Sequence, residues 1–289
     1  MILKECKEKK FCRLCENNKL KKVIDLKKTP LANSFFKKKK YFKKEKLYPL
    51  KVNFCENCNH VQLSHSVRAN SMFDKYLYLT NTSKQNRDHF KNYAKNISNR
   101  VKKKKNIKIL DIASNDGTFL NFFKSKKYYK LGVDPARNVK KYAKEKGINQ
   151  LILYFNEETS RSIKSKYGLF DVITANHVCA HVDDLKNFVK GVKNLLKSDG
   201  FFSFEVSYLG DVIRKKTFDT IYHEHLDYHS LRPLISFFKK FKLEIFDFEL
   251  VEAQGGSIRI YVSHQGSKKI KKNKIERQVF LEKKKIQTF

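Results

Sequence analysis

Between residues 107 and 207 the chain alternates short apolar runs with amphipathic stretches, and nothing else in it restricts the fold so tightly. IKILDIA (107–113), KLGVDP (130–135), FDVITAN (170–176) and FFSFEVS (201–207) each read as a buried strand, while 118–126, 137–146 and 184–197 carry a helical spacing. Strands that are apolar on both faces, with helices between them, pair in parallel beneath helical layers, so the expected class is α/β. Further on, 231–242 reads as a helix. LEIFDFELV (243–251) and SIRIYVS (257–263), separated by the Gly255-Gly256 break, read as an antiparallel pair on the sheet edge.

The 289 residues suit two or three parts with at least one sizeable core, and 40% apolar with 13% aromatic residues excludes wholesale disorder. A formal charge of +34 first suggests a polyanionic partner. Two observations weaken that reading: the lysines are spread along the chain, with runs at 37–40, 102–105 and 283–285, and only ten of the 63 basic residues are arginine, the better bidentate reader of phosphate. Solvated surface lysine is the other reading, and under either the charge attracts phosphorylated substrates. No apolar run approaches the roughly 20 residues of a membrane span, and MILKECKEKKFC has no apolar signal core, so a cytoplasmic protein is expected.

Four of the six cysteines form two C-x-x-C pairs, Cys12 with Cys15 and Cys55 with Cys58. In a chain without an export signal that spacing points to Zn²⁺, because two thiolates of one tight turn occupy adjacent corners of a tetrahedron. A Cys₄ set is coordinatively closed, so the metal is expected to be structural; His60 and Cys6 are alternative ligands. Residues 1–65 read as a loop-and-ribbon module needing such a staple, 66–100 as a helical connector contributing to the active site, 101–266 as the α/β domain and 267–289 as a basic tail.

Two segments carry chemistry. ILDIASNDGTFL (109–120) is a strand, a small-residue turn and a helix start, and Asp134 follows at the end of the next strand, where a carboxylate can accept both hydroxyls of a ribose. The turn lacks G-x-G-x-x-G and suits S-adenosylmethionine, which has no pyrophosphate, better than a dinucleotide. FDTIYHEH (218–225) gathers an aspartate, a tyrosine, two histidines and a glutamate, which is dense proton-handling chemistry for a chain so rich in lysine. His223 and His225 could instead be metal ligands, though no third ligand has suitable spacing; His229 reads as surface or packing.

Taken in order, the four cysteines, YLYLTNTS (76–83) with His89, ILDIASNDGT, GVDPARNV, DVITANHVCAHVDDL, FDTIYHEHLDYHSL and GGSIRIYV resemble the sugar C-methyltransferase family. The resemblance implies a Rossmann-like class I methyltransferase domain behind a small zinc-binding module, and a substrate that is a nucleotide-linked keto-deoxysugar, dTDP-linked in the first instance. It further implies removal of a proton next to the ketone and methylation of the resulting enolate. By likeness, His225 is the base, and Tyr222, Tyr76 and His181 line the sugar site or stabilise the enolate; Glu224 can orient the histidine or its neighbours. Asp111, Ala113, Ser114, Asn115, Gly117, Asp134, Pro135 and Asn176 form the cofactor site.

The chain departs from the family pattern in three ways. Ala113 stands where glycine is usual, which allows a tight bend only at negative φ and otherwise crowds the methionine moiety. His177 and Cys179 stand where asparagine and phenylalanine are expected. Family members usually continue into a second Rossmann-like domain, so the basic tail is expected to be its truncated start, or the substrate to be held differently. Two other readings compete. An RNA methyltransferase predicts a basic face and aromatic platforms around the cleft; a catalytically inactive zinc-and-Rossmann binding module predicts no cofactor binding.

Overall fold

The computed structural model describes residues 5–35, 45–73 and 78–286. The amino-terminal part is built of strands and turns: β1 (Cys6–Glu8), β2 (Leu20–Thr29), β3 (Tyr48–Cys55), β4 (Val61–Leu63) and β5 (His65–Val67). Along β3, Tyr48, Leu50, Val52 and Phe54 are buried and alternate with half-buried positions, the two-residue period of a strand with one face on a core. β2 and β4 flank β3 antiparallel, and β1 pairs with β5. Of the described residues between 66 and 100, fewer are helical than the spacing predicts. A short α1 (Asn70–Phe73) and a 3₁₀ turn (Thr80–Thr82) precede the one long helix, α2 (Lys84–Arg100), which Ser83 caps by accepting from the Asn86 amide. Phe90, Tyr93, Ala94 and Ile97 give α2 a single apolar face.

The main domain runs β6 (Ile107–Ile112), α3 (Thr118–Asn121), β7 (Tyr128–Val133), α4 (Lys140–Glu145), β8 (Asn149–Leu151), α5 (Glu157–Tyr167), β9 (Phe170–Asn176), α6 (Leu185–Leu195) and β10 (Leu196–Ser207). It continues with α7 (Leu209–Lys215), β11 (Asp227–Tyr228), α8 (Leu231–Lys239), β12 (Leu243–Val251), β13 (Ser257–His264) and α9 (Lys272–Ile286). Among the described residues the main sheet has seven strands in the order β12-β13-β10-β9-β6-β7-β8. β8, β7, β6, β9 and β10 are parallel; β13 is antiparallel to both β10 and β12, so the predicted edge pair is present. β6 pairs with β7 on one side and β9 on the other, so the strand order reverses there and opens a crevice beyond its carboxyl end.

Four differences from the sequence reading have local causes. α3 stops at Asn121 because the chain turns to bury Phe123 beside Phe119 and Leu120 against α2. β8 and α5 fill the stretch between 146 and 170; Asn156 and Thr159 cap α5 reciprocally. β11 pairs with β4, so residues 227–228 complete the amino-terminal sheet across the boundary drawn at 65. Finally, the lysine-rich tail folds back as α9. Ile275 enters the core, and the buried Glu282 carboxylate accepts the Leu231 and Arg232 amides that open α8 (2.8 and 2.9 Å) and the Tyr208 hydroxyl (3.1 Å). Among the described residues, no helix is long and apolar enough to cross a membrane.

Candidate functional site

The turn after β6 folds back over β7 because Gly132 leaves room for it: a Cβ there would lie 2.4 Å from Ser114 Oγ. Ala113 and Asn115 both sit in the left-handed region, at φ 54° and 48°. Asn115 is held from several sides. Its amide donates to Asp134 Oδ2 (2.8 Å), its side chain donates to the Tyr78 carbonyl (2.9 Å) and accepts the Thr80 amide (3.1 Å), and Gln150 donates to its carbonyl and to Ser114 Oγ. Asp134 also accepts the Ala136 amide (2.9 Å), and burial raises its pKa. Asp111 is buried at the end of β6, where the Thr174 hydroxyl donates to it at 2.6 Å; burial pushes its pKa up to about 7. Gly117 lies apart from the cavity wall. It opens α3 at φ 73° against Ile148 and Ala143.

Facing this turn is the segment after the 3₁₀ turn Phe218–Thr220. The Thr220 carbonyl can only accept, so His225 Nδ1 carries the proton that binds it (2.9 Å), and the Nε2 lone pair receives the Tyr222 hydroxyl (2.9 Å). Burial lowers the His225 pKa to about 4 and that of its neighbour His181 to about 3, so both rings are neutral at physiological pH. The Nδ1 proton of His181 is fixed likewise by the Glu224 carbonyl (2.7 Å), which leaves Nε2 of that ring an acceptor. The Glu224 carboxylate accepts the Asn33 side-chain amide (2.6 Å), and burial raises its pKa. His223 and His229 point elsewhere: both are buried, with Nε2 3.3 Å from the Tyr48 carbonyl and 3.2 Å from the Cys179 carbonyl. Tyr76 lies outside the described residues.

These two halves share one cavity of about 480 Å³. Asp111, Ala113, Ser114, Asn115, Asp134, Pro135 and Asn176 line it together with His181, Tyr222, Glu224 and His225. Sequence reasoning missed Asn33, which reaches in from the amino-terminal module with no local motif around it, and Gln254, which adjoins the glycine pair read as a strand break and as part of the family resemblance. His177, noted only as a departure, also lines the cavity, at φ 55° and with Nε2 3.2 Å from the buried Glu205 carboxylate. The charged residues among the described lining are Asp111, Asp134, Asp183 and Glu224, with no lysine or arginine. Acids raised by burial, with no lysine or arginine among the described lining, fit a ligand that brings its own positive charge, as the sulfonium and ammonium groups of S-adenosylmethionine do.

The four cysteines meet at the base of the amino-terminal module. Cys12 and Cys58 Sγ are 3.6 Å apart, Cys15 and Cys55 Sγ 3.5 Å, and all four lie within 4.8 Å of one another. A tetrahedron with Zn–S bonds of about 2.3 Å needs sulfur separations near 3.8 Å, so the set fits zinc. Each knuckle closes alike, with the Glu16 amide on the Cys12 carbonyl, the Asn59 amide on the Cys55 carbonyl, and both residues at positive φ. The alternative ligands are elsewhere: Cys6 packs with Tyr48 and Val67, and His60 binds Asp227. His223 and His225 join no metal-ligating group among the described residues.

Family comparison agrees with this geometry. Residues 85–247 match the family model described as "Methyltransferase domain", more than half of the chain, and the protein belongs to that family. Residues 12–73 match the model described as "Putative zinc binding domain". More particularly, the chain is similar to the C-methyltransferase NovU of Streptomyces niveus, 29% identical over 252 residues that make up 87% of this chain and 60% of that protein. Among solved structures, the PH0226 protein of Pyrococcus horikoshii OT3 (TM-score 0.51, 16% identity, 65% of this chain and 95% of that one) shares the fold. So does the plantazolicin methyltransferase BpumL (TM-score 0.50, 10% identity, 64% and 87%).

Proposed function

We propose that the protein is an S-adenosylmethionine-dependent C-methyltransferase that deprotonates the carbon next to the ketone of a nucleotide-linked keto-deoxysugar and methylates the enolate. One observation carries this reading: a neutral imidazole of fixed tautomer, His225, opens into the same cavity as the Asp111 and Asp134 carboxylates. NovU, a C-methyltransferase, supports the carbon acceptor. Absence of cations from the described cavity lining opposes the RNA reading and admits the sugar end of the substrate, leaving a diphosphate to lie at or beyond the rim.

Bound S-adenosylmethionine supplies the electrophilic methyl group; Asp134 would accept the ribose hydroxyls, and Asp111 would face its positive charge. The remaining steps belong to this chain. His225 Nε2 takes the proton from the carbon acid, either as Tyr222 swings its hydroxyl away or through the Tyr222 oxygen as its own proton passes to the ring. Tyr222 is the donor available to the enolate oxygen, and Glu224, whose pKa burial raises, lines the same cavity. His181, an acceptor at Nε2, suits a sugar hydroxyl rather than the enolate.

Incubating the zinc-loaded protein with dTDP-linked keto sugars in D₂O tests the reading, since exchange at the carbon reports proton removal with or without methyl transfer. His225→Ala should lower exchange by about 10²- to 10⁴-fold while S-adenosylmethionine still binds. Undiminished exchange in that variant removes His225 from the base role, and a wild-type chain that exchanges no proton across the panel overturns the assignment.

A further inference from the structure

The segment carrying Tyr222, Glu224 and His225 has little structure of its own. It contains a two-residue strand, β11, whose hydrogen-bonded partner is β4 of the zinc-binding module. The segment is also fixed to the loop after β9 through the Leu226 and Asp227 amides on the Ala180 carbonyl (2.7 and 3.3 Å), and to the module through the Leu63 amide on the Leu226 carbonyl (2.8 Å). Beside the Asn33–Glu224 bond, one side-chain link between segment and module is fully buried: Asp227 Oδ1 meets His60 Nε2 at 2.7 Å, with both side chains enclosed. The other carboxylate oxygen, Asp227 Oδ2, is buried with no hydrogen-bond partner among the described residues. His60 lies two positions after the last zinc-binding cysteine, and its carbonyl accepts the Cys55 amide (2.8 Å), which makes it part of the second knuckle.

We infer that His60 is a positioning residue for the acceptor half of the site: the zinc knuckle holds its imidazole, the imidazole holds Asp227, and Asp227, two residues after His225, sets where the proton-handling side chains stand. An ionised carboxylate in the interior has to be paired, so the segment can dock only where His60 presents its N–H. The knuckle fixes that place, because its two turns are closed around the metal. In this arrangement the zinc takes no part in the chemistry, yet its loop determines the geometry of a site built mostly in the other domain. This inference rests on the function proposed above only for its turnover arm.

The test compares His60→Ala, His60→Gln and Asp227→Asn with wild type in zinc-loaded full-length chains. Asp227→Asn retains an acceptor for the His60 N–H, and His60→Gln retains a donor for Asp227, so both should stay closer to wild type than His60→Ala. In His60→Ala, zinc stoichiometry and S-adenosylmethionine affinity should hold, and amide exchange at 226–228 should quicken while that of β6 and β9 is unchanged. Proton exchange from the keto sugar should fall by about 10- to 100-fold, in kcat rather than in KM. Unchanged protection at 226–228 in a zinc-loaded His60→Ala chain overturns the inference, as does a loss of protection spread equally to β6 and β9. Should His60→Ala fail to fold, His60→Gln decides: zinc-loaded and indistinguishable from Asp227→Asn in amide exchange and turnover, it supports the donor role, and loosened equally in both domains it refutes it. A wild-type chain inert toward every keto sugar would sink the proposed function and leave the zinc and amide-exchange arms to judge His60.

Discussion

The two halves of the cavity are held by different means. The cofactor half is assembled from the ends of adjacent parallel strands, so most of its bonds join residues close in the fold: the Asn115 amide to Asp134, the Ala136 amide to Asp134, the Thr174 hydroxyl to Asp111. The acceptor half is assembled from the amino-terminal module, the loop after β9 and the 222–229 segment, and Asn33 reaches Glu224 across 191 positions of sequence. Sheet geometry therefore places most of the first half, with Tyr78 and Thr80 of the connector holding Asn115, whereas the second exists only while a separate, metal-stapled module stays docked. The cofactor half should survive injuries that abolish the acceptor half, and the reverse should be rare.

The strongest way to break this comparison is to remove the metal. Chelation, or Cys58→Ser, should withdraw a stabilisation on the order of 10 kcal/mol from the module. Melting should then split into two steps, with the module and the 222–229 segment lost first and the parallel sheet later. Because Cys12, Leu14 and Cys55 also pack into the main core, the second step should shift downward as well, by a smaller amount. Scanning calorimetry with and without S-adenosylmethionine distinguishes the outcomes: the ligand should raise only the second transition. A single cooperative transition in the stripped chain would mean that the halves are not separable.

The same asymmetry explains how much the sequence revealed. Strands β6, β7, β9 and β10 were legible because their apolar runs are continuous, and the turn after β6 was legible because strand, turn and acidic strand-end lie within 30 residues. The cysteine knuckles were legible from spacing alone. Asn33 was not, since nothing within its own stretch hints at a partner near 224. β11 was equally hidden, two residues long and stabilised by pairing with β4 rather than by any propensity. Spacing alone does not separate His223 from His225, which family likeness singled out; the packing turns the first to the Tyr48 carbonyl and the second to Tyr222. The tail misled because its lysines hide the burial of Ile275 and Glu282.

Asp111 offers a sharper probe within the cofactor half. Its folded pKa of about 7 lies above the ordinary 3.8, so the protonated form is favoured in the folded chain. Its stabilising contribution is complete below pH 3.8 and is lost as pH rises through about 7. A positively charged ligand reverses the preference and favours the ionised form. Titration calorimetry at pH 6 in two buffers of different ionisation enthalpy should then show close to one proton released per S-adenosylmethionine bound, and almost none at pH 8. Asp111→Asn should remove the release, weaken binding by tenfold or more on the order of a lost charge pair, and stabilise the unliganded fold at pH 8 by a few kcal/mol, roughly, as a buried charge is removed. Proton release that persists in Asp111→Asn would move the titrating group to Asp134 or beyond.

The smallest effect concerns Ala113, where the sequence reading required a negative φ and the structure has 54°. An L-residue there costs about 1–2 kcal/mol, while glycine costs about 0.5–1 kcal/mol through the freedom of the unfolded chain, so Ala113→Gly should stabilise by under about 1 kcal/mol. That is a rise of less than about 2–4 °C in melting temperature for a domain of this size. The same change deletes a methyl group from the cavity wall beside the proposed methionine site, so S-adenosylmethionine should bind more tightly by a small factor, while amide exchange at 226–228 stays as in wild type. Differential scanning fluorimetry, titration and amide exchange on one preparation decide the matter. If loosening the turn at 113 also loosened the 222–229 segment, the cofactor half would be supporting the acceptor half, and the independence of the two would fail in the direction the zinc experiment cannot reach.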